Sequence, residues 1–219
     1  MASQLSRTYM PVIHKEENSE YRWGIWQIEE SESELLRDLP SDEDLRNSLA
    51  TIKVFNRKIE SIATRALLKY LASDAGVRYN GIWKDKHGKP FLIDEKTHIS
   101  ISHSYPYAAA MLNLNDPVGI DLEHYNKKIL KLETKFMSEQ EIFDSNKDPG
   151  KMILVWAAKE ALYKSYGRKN LSFKDNIEIL PFEMLKEGIL KSKVKRHDEV
   201  RFYELEYKLF PDFVVCYTL

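Results

Sequence analysis

Val118-Gly119-Ile120-Asp121-Leu122-Glu123 is the stretch from which the rest of the chain is best read. Val118, Ile120 and Leu122 alternate with Gly119, Asp121 and Glu123, the period-two pattern of a strand with one apolar face. On such a strand Asp121 and Glu123 share a face, about 6.5–7 Å apart. Two carboxylates this close repel unless a cation lies between them, and hard oxygen donors suit magnesium or manganese better than zinc. Gly119 shares that face and leaves room beside them. The same pattern also fits an exposed strand face whose acids point at water.

Upstream, Trp23–Ile28, His98–Ser102 and Ala108–Leu114 read as further strands, broken by turns at Lys86–Pro90 and Asn115–Pro117. Ser31 with Glu34 has the spacing of a capping box, and Ser41 or Asp42 can cap the next helix. Ile59, Ile62, Ala63, Ala66, Leu67 and Tyr70 follow helical spacing, predicting a long helix over Val54–Ala75 that stops at Gly76. Downstream, Ser138 with Glu141 repeats the capping-box signal. Asp148-Pro149-Gly150 precedes a helix over Met152–Tyr166, and strands follow from Ile177, clearest at Arg201–Leu209 and Phe213–Thr218. The block Lys186–Arg196 is locally basic and reads as a solvated hairpin face. Each half of the chain thus holds a long helix and several strands, an α+β pattern.

Two more segments carry chemistry. Trp156, Glu160 and Lys164 are spaced by four and form one helical stripe beside the apolar stripe Val155, Ala158 and Leu162. An ordinary Glu-to-Lys pair at this spacing would look the same. In Ser100-Ile101-Ser102-His103-Ser104, hydroxyls and an imidazole end a strand. They suit a phosphate and equally a turn that caps its own backbone. No Gly-x-Ser-x-Gly elbow, phosphate-binding glycine loop or zinc-spaced Cys/His cluster is present.

Bulk properties exclude several classes. With 31% charged residues and a net charge of −1, the chain has no basic excess of the kind a nucleic-acid binder carries. No apolar run approaches the ~18 residues of a membrane span, and Met1–Met10 does not read as a signal peptide. The single cysteine, Cys216, lies in an apolar run and reads as a buried small hydrophobe, pointing to a reducing, cytoplasmic location.

Together the three chemical segments resemble the 4′-phosphopantetheinyl transferase superfamily. The resemblance lies in Gly119–Glu123 and Trp156–Lys164, joined upstream by Gly88-Lys89-Pro90 and Ser102-His103-Ser104. It covers about Arg65 to Phe173, and its order matches the long form, named after the enzyme that activates surfactin synthetase. The resemblance implies two similar α+β halves, 1–116 and 117–219, forming an intramolecular pseudo-dimer with the active site in the cleft between them. It implies Asp121, Glu123 and Glu160 as ligands of Mg2+ (or Mn2+), Glu160 as the base and Lys164 as the neutralising cation. It also implies Ser102, His103 and Arg65 as phosphate contacts, and Gly88, Lys89 and Pro90 beside the adenine; Lys53, Arg57 and Lys58 are weaker candidates. The implied reaction moves phosphopantetheine from coenzyme A to a serine of an apo acyl or peptidyl carrier protein, in a monomeric enzyme without nucleic-acid or membrane partners. Two rival readings are another magnesium-dependent phosphoryl enzyme and a module that binds coenzyme A or a carrier without turnover.

Overall fold

The computed structural model describes residues 12–167, 171–196 and 199–219. The reading of Met1–Met10 lies outside them. The first half runs through β1 (Val12–Glu17), β2 (Tyr21–Gln27), α1 (Glu32–Leu36), α2 (Glu43–Thr51), α3 (Phe55–Asp74), β3 (Ile82–Lys84), β4 (Pro90–Leu92), β5 (His98–Ser104) and β6 (Tyr107–Asn113). The second runs through β7 (Ile120–His124), a 3-10 turn at Lys127–Lys131, α4 (Glu133–Phe136), α5 (Glu139–Ser145) and α6 (Pro149–Tyr166). It ends with β8 (Ile177–Ile179), β9 (Glu187–Arg196), β10 (Glu199–Leu209) and β11 (Phe213–Thr218). The fold is α+β, with antiparallel pairing throughout.

Local signals set the helix boundaries. Ser31 and Ser138 each close a capping box, with Glu34 and Glu141 respectively. Asp42 caps α2 and Asp148 caps α6, with Pro149 in its first turn. Helix α3 ends at Gly76, whose φ of +69° is the left-handed conformation that glycine adopts at little cost. Strand β1 and the β3–β4 hairpin were not anticipated: β1 is largely polar and shows no apolar alternation, and the three-residue β3 and β4 are too short to show a period.

The larger sheets have the orders β1-β2-β6-β5 and β7-β11-β10-β9-β8. Within them β2-β6-β5 and β7-β11-β10 correspond: the strand that precedes the long helix, the last strand, then the one before it. Helix α3 covers the outer face of the first sheet through Ile59, Ile62, Ala63, Leu67 and Leu71. Helix α6 covers the second through Leu154, Ala157, Ala158 and Ala161. Between the sheets, Trp23, Ile25, Ala109 and Met111 meet Ile120, Leu122, Val215 and Tyr217 in a third apolar cluster. Both faces of β2 are therefore buried, Trp23 toward the second half and Trp26 toward α3.

The basic block forms β9. Lys193 and Lys195 pair with Glu178, and Lys186 and Lys191 are exposed, which is the solvated hairpin face expected. Cys216 is fully buried, as anticipated.

Candidate active site

Strand β7 and helix α6 build the site together. Helix α6 runs along β7 so that Trp156 reaches Glu123 and Lys164 reaches Asp121, with Glu160 one turn from each. The stripe spaced by four thus faces the strand's acids, while Val155, Ala158 and Leu162 enter the core. The close packing depends on Gly119. A Cβ there would stand 1.8 Å from the Ala161 carbonyl oxygen and 2.8 Å from the Ser165 nitrogen. The room that the glycine leaves is taken by the backbone of α6, not by open space beside the acids.

Asp121 is 3% exposed. Its Oδ1 accepts from Lys164 Nζ at 2.6 Å and from Ser102 Oγ at 2.7 Å. Lys164 Nζ also donates to the Ile120 carbonyl at 3.0 Å. Asp121 Oδ2 is buried and has no hydrogen-bond partner among the described residues. Glu123 Oε1 accepts from Trp156 Nε1 at 3.0 Å. Burial pushes the Glu123 carboxyl above its usual value, and the Asp121 charge adds to the rise. Glu160 is pushed up to about 7, first by burial and then by Asp121. Three carboxyl groups of one sign thus crowd a half-buried surface with Lys164 as their nearest cation.

This donor set suits a hard divalent cation: all oxygen, one buried oxygen without a partner, and two carboxyls raised by burial and then by a neighbouring negative charge. As arranged, no three His, Cys, Asp or Glu side chains among the described residues converge at ligand spacing.

The other residues singled out from the sequence divide into two groups. Ser102 and Ser100 face β7, where their hydroxyls accept the Leu122 and Ile120 amides at 3.2 and 3.0 Å, joining the two sheets at their edges. Lys89 crosses between the halves and donates to the carbonyls of Lys164 and Ser165 at 3.0 and 2.9 Å, capping the C-terminal end of α6. Burial depresses its ammonium. Lys89, Pro90, Ser100, Tyr163 and Lys164 line a cavity of about 170 Å³ between the halves.

Arg65 and His103 make their polar contacts elsewhere. Arg65 is 1% exposed, ion-paired with Asp44 and bonded to Ser61 and Ser48 between α2 and α3. His103 faces α3, where Nδ1 lies 3.1 Å from Glu60 Oε2. Lys53 and Arg57 are exposed near the start of α3, and Lys58 pairs with Glu32. Sequence reasoning assigned no role to Trp156 beyond the stripe, although its spacing to Glu160 was visible. It missed Glu60 altogether, because a single acid on a helix carries no signal of its own.

Lys159, beside Glu160, points the other way into the core. Its ammonium donates to Glu141 Oε2 at 2.8 Å and lies 2.7–2.8 Å from the carbonyls of Phe136, Phe173 and Ile177. It ties α6 to the α5 cap and the approach to β8.

Residues 117–218 match the model of the 4′-phosphopantetheinyl transferase superfamily. The chain is also 31% identical over 90 residues to the 4′-phosphopantetheinyl transferase gsp of Aneurinibacillus migulanus. That stretch covers 39% of this chain and 37% of the relative, so the alignment spans little more than a third of the relative's length. Both β7 and α6, with every carboxylate of the site, fall inside the matched segment. Over residues 117–218, the chain is similar to the 4′-phosphopantetheinyl transferase superfamily.

Proposed function

We propose that the protein is an enzyme that transfers the 4′-phosphopantetheine group of coenzyme A to a serine of an apo acyl or peptidyl carrier protein, releasing adenosine 3′,5′-bisphosphate. The observation that carries this reading is the buried Asp121 carboxylate, held by Lys164 and Ser102 on one oxygen and unpartnered on the other, inside the segment matched to the superfamily. The relative's name supports the same reaction class.

In this reading Asp121, Glu123 and Glu160 hold Mg2+, with Mn2+ as the alternative. When bound, the ion would neutralise pyrophosphate oxygens of coenzyme A. Glu160 takes the proton of the carrier serine as the serine oxygen bonds to phosphorus, and the bond to the bisphosphate leaving group breaks. In the metal-free protein that carboxyl is raised to about 7, chiefly by burial, and a bound cation would favour its ionised, proton-accepting form. Lys164 offsets charge on the phosphates. Trp156 orients Glu123, and Ser102 orients Asp121. Lys89 and Pro90 flank the cavity between the halves, where coenzyme A is proposed to enter; Ser102 and His103 are carried as phosphate contacts, and Arg65 would serve as one only on leaving the Asp44 pair in which it is buried.

We further propose the halves 1–116 and 117–219 as a long-form intramolecular pseudo-dimer acting as a monomer. The matching orders β2-β6-β5 and β7-β11-β10 support it. A cytoplasmic location is proposed from the single buried cysteine. No helix among the described residues is long and apolar enough to cross a membrane.

The test is intact-mass spectrometry of an apo carrier incubated with the protein, coenzyme A and magnesium, with a chelator control. A gain of one phosphopantetheine group, lost with the chelator, is expected. No gain over carriers of several pathways would reject the reading.

A further inference from the structure

A buried acid on α3 supports the His103 ring from outside the Asp121 constellation. Glu60 is 5% exposed. Its Oε2 lies 3.1 Å from His103 Nδ1, and its Oε1 accepts the Tyr105 N–H at 2.6 Å. Successive residues of a strand face opposite ways, so Ser102 turns to β7 while His103 turns to α3. A buried carboxylate is costly unless paired and hydrogen-bonded. Burial alone would raise the Glu60 carboxyl, but the His103 contact and the Tyr105 N–H outweigh it and leave it below its ordinary value. The His103 side chain is 30% exposed, so the ring is held at Nδ1 and open to solvent at another edge.

We propose that Glu60 is a positioning residue of the coenzyme A site, fixing the His103 ring through Nδ1 so that Nε2 donates to a phosphate oxygen. This rests on the transferase reading and names the device that sets one phosphate contact. Which ring nitrogen carries a proton is decided by what the other one bonds. With Nδ1–H given to a carboxylate, a phosphate at Nε2 draws the second proton onto the ring. The imidazolium between two anions then makes charge-assisted bonds on both sides, about twice as strong as neutral ones. Glu60 does not touch the substrate. It acts through His103 and through the turn at Tyr105.

Glu60→Gln separates these effects. The amide oxygen still accepts the Tyr105 N–H, while its NH2 group faces Nδ1, so the ring donates from Nε2 only as a neutral imidazole and loses the charge-assisted pairing. Four forms are compared: wild type, Glu60→Gln, His103→Ala and the double variant. The readouts are KM and kcat for coenzyme A, calorimetric affinity for coenzyme A, and the histidine ring 15N signals, with His103 assigned by difference from His103→Ala. Glu60→Gln is expected to raise KM about tenfold, or about 1.4 kcal/mol, with kcat within about twofold. His103→Ala should do the same, and the double variant no more than either. The ring signals should switch from the Nδ1–H to the Nε2–H form in Glu60→Gln. Unchanged KM and affinity in a folded Glu60→Gln, with both altered in His103→Ala, would overturn the proposal. If neither variant alters them while the wild type modifies its carrier, the phosphate role of His103 falls and the proposal with it, but the transferase reading stands. If no carrier is modified, the calorimetric comparison decides: equal affinity in all four forms overturns it.

Discussion

Ser102 Oγ reaches from the first half to the second, donating to Asp121 Oδ1 at 2.7 Å while accepting the Leu122 N–H at 3.2 Å. One hydroxyl therefore joins the edges of the two sheets and aims the most buried acid of the site. Ser102→Ala leaves the Leu122 amide without its acceptor and Asp121 Oδ1 with Lys164 alone. A stability loss of about 1–3 kcal/mol is expected, together with a fall in kcat/KM of about tenfold. Urea unfolding and carrier-modification kinetics measure the two. Full turnover in the variant would show that Asp121 is oriented without it.

Asp121→Ala tests the acid itself. The side chain is buried and central to the candidate ligand set, so turnover should be abolished while circular dichroism remains that of a folded protein. Burial raises the Glu123 and Glu160 carboxyls most and Asp121 adds to both, so its loss should lower both only part of the way toward the ordinary carboxylate range. Undiminished turnover in this variant would remove the metal model.

The pH dependence of the metal-free protein follows from Glu160. Its carboxyl is raised from 4.5 to about 7 in the folded state, chiefly by burial. Between those values the folded state holds the proton more tightly than the unfolded chain does, so the Glu160 contribution to stability is greatest below about 4.5 and is lost as pH rises through about 7. Glu160→Gln removes the titration and should flatten that slope. Thermal unfolding midpoints across pH 4–8, with a chelator present, give the comparison. Identical slopes for the two proteins would place the titration elsewhere. Saturating Mg2+ should also flatten the wild-type slope, because a cation favours the ionised carboxylate.

Lys159 illustrates a different dependence. Its ammonium is fully buried with Glu141, and burial depresses its proton affinity even beside that carboxylate. Lys159→Met leaves the Glu141 charge unpaired in the core, and breaking a buried pair in this way costs about 3–5 kcal/mol. The loss should be smaller in Lys159→Met combined with Glu141→Gln. Urea unfolding of the two single variants and the double one gives the coupling. Additive losses would deny that the pair acts as a unit.

Signals confined to neighbouring residues were legible in the sequence. Both capping boxes, the Asp148-Pro149 start of α6 and the stop at Gly76 depend on contacts within a few positions, and each forms as read. The Trp156, Glu160 and Lys164 stripe faces the β7 acids because two periods, 3.6 and 2, fix which side chains share a surface. What joins distant segments was not legible. Nothing near Lys89 in sequence tells of the carbonyls of Lys164 and Ser165, and nothing near Arg65 tells of Asp44. The role of Gly119 was misjudged for the same reason: a missing side chain marks close approach, but the sequence does not say what approaches.

Gly119 therefore supplies the sharpest test of how the site is held together. Gly119→Ala puts a methyl group 1.8 Å from the Ala161 oxygen and 2.8 Å from the Ser165 nitrogen. Both are backbone atoms of α6, so no side chain can swing away, and the helix must shift from β7. Overpacking of this kind costs about 1–3 kcal/mol, at times more. The larger effect should be on turnover, because Lys164 lies beside Ser165 and Glu160 beside Ala161. A shift of the helix moves both away from Asp121 Oδ1, where Lys164 now stands at 2.6 Å. Urea unfolding is expected to show a folded protein of reduced stability, and carrier modification a loss well beyond that of Ser102→Ala. A variant that folds and keeps wild-type turnover would mean that the seat of α6 on β7 does not set the catalytic geometry, and that Glu160 and Lys164 reach their positions by side-chain freedom alone.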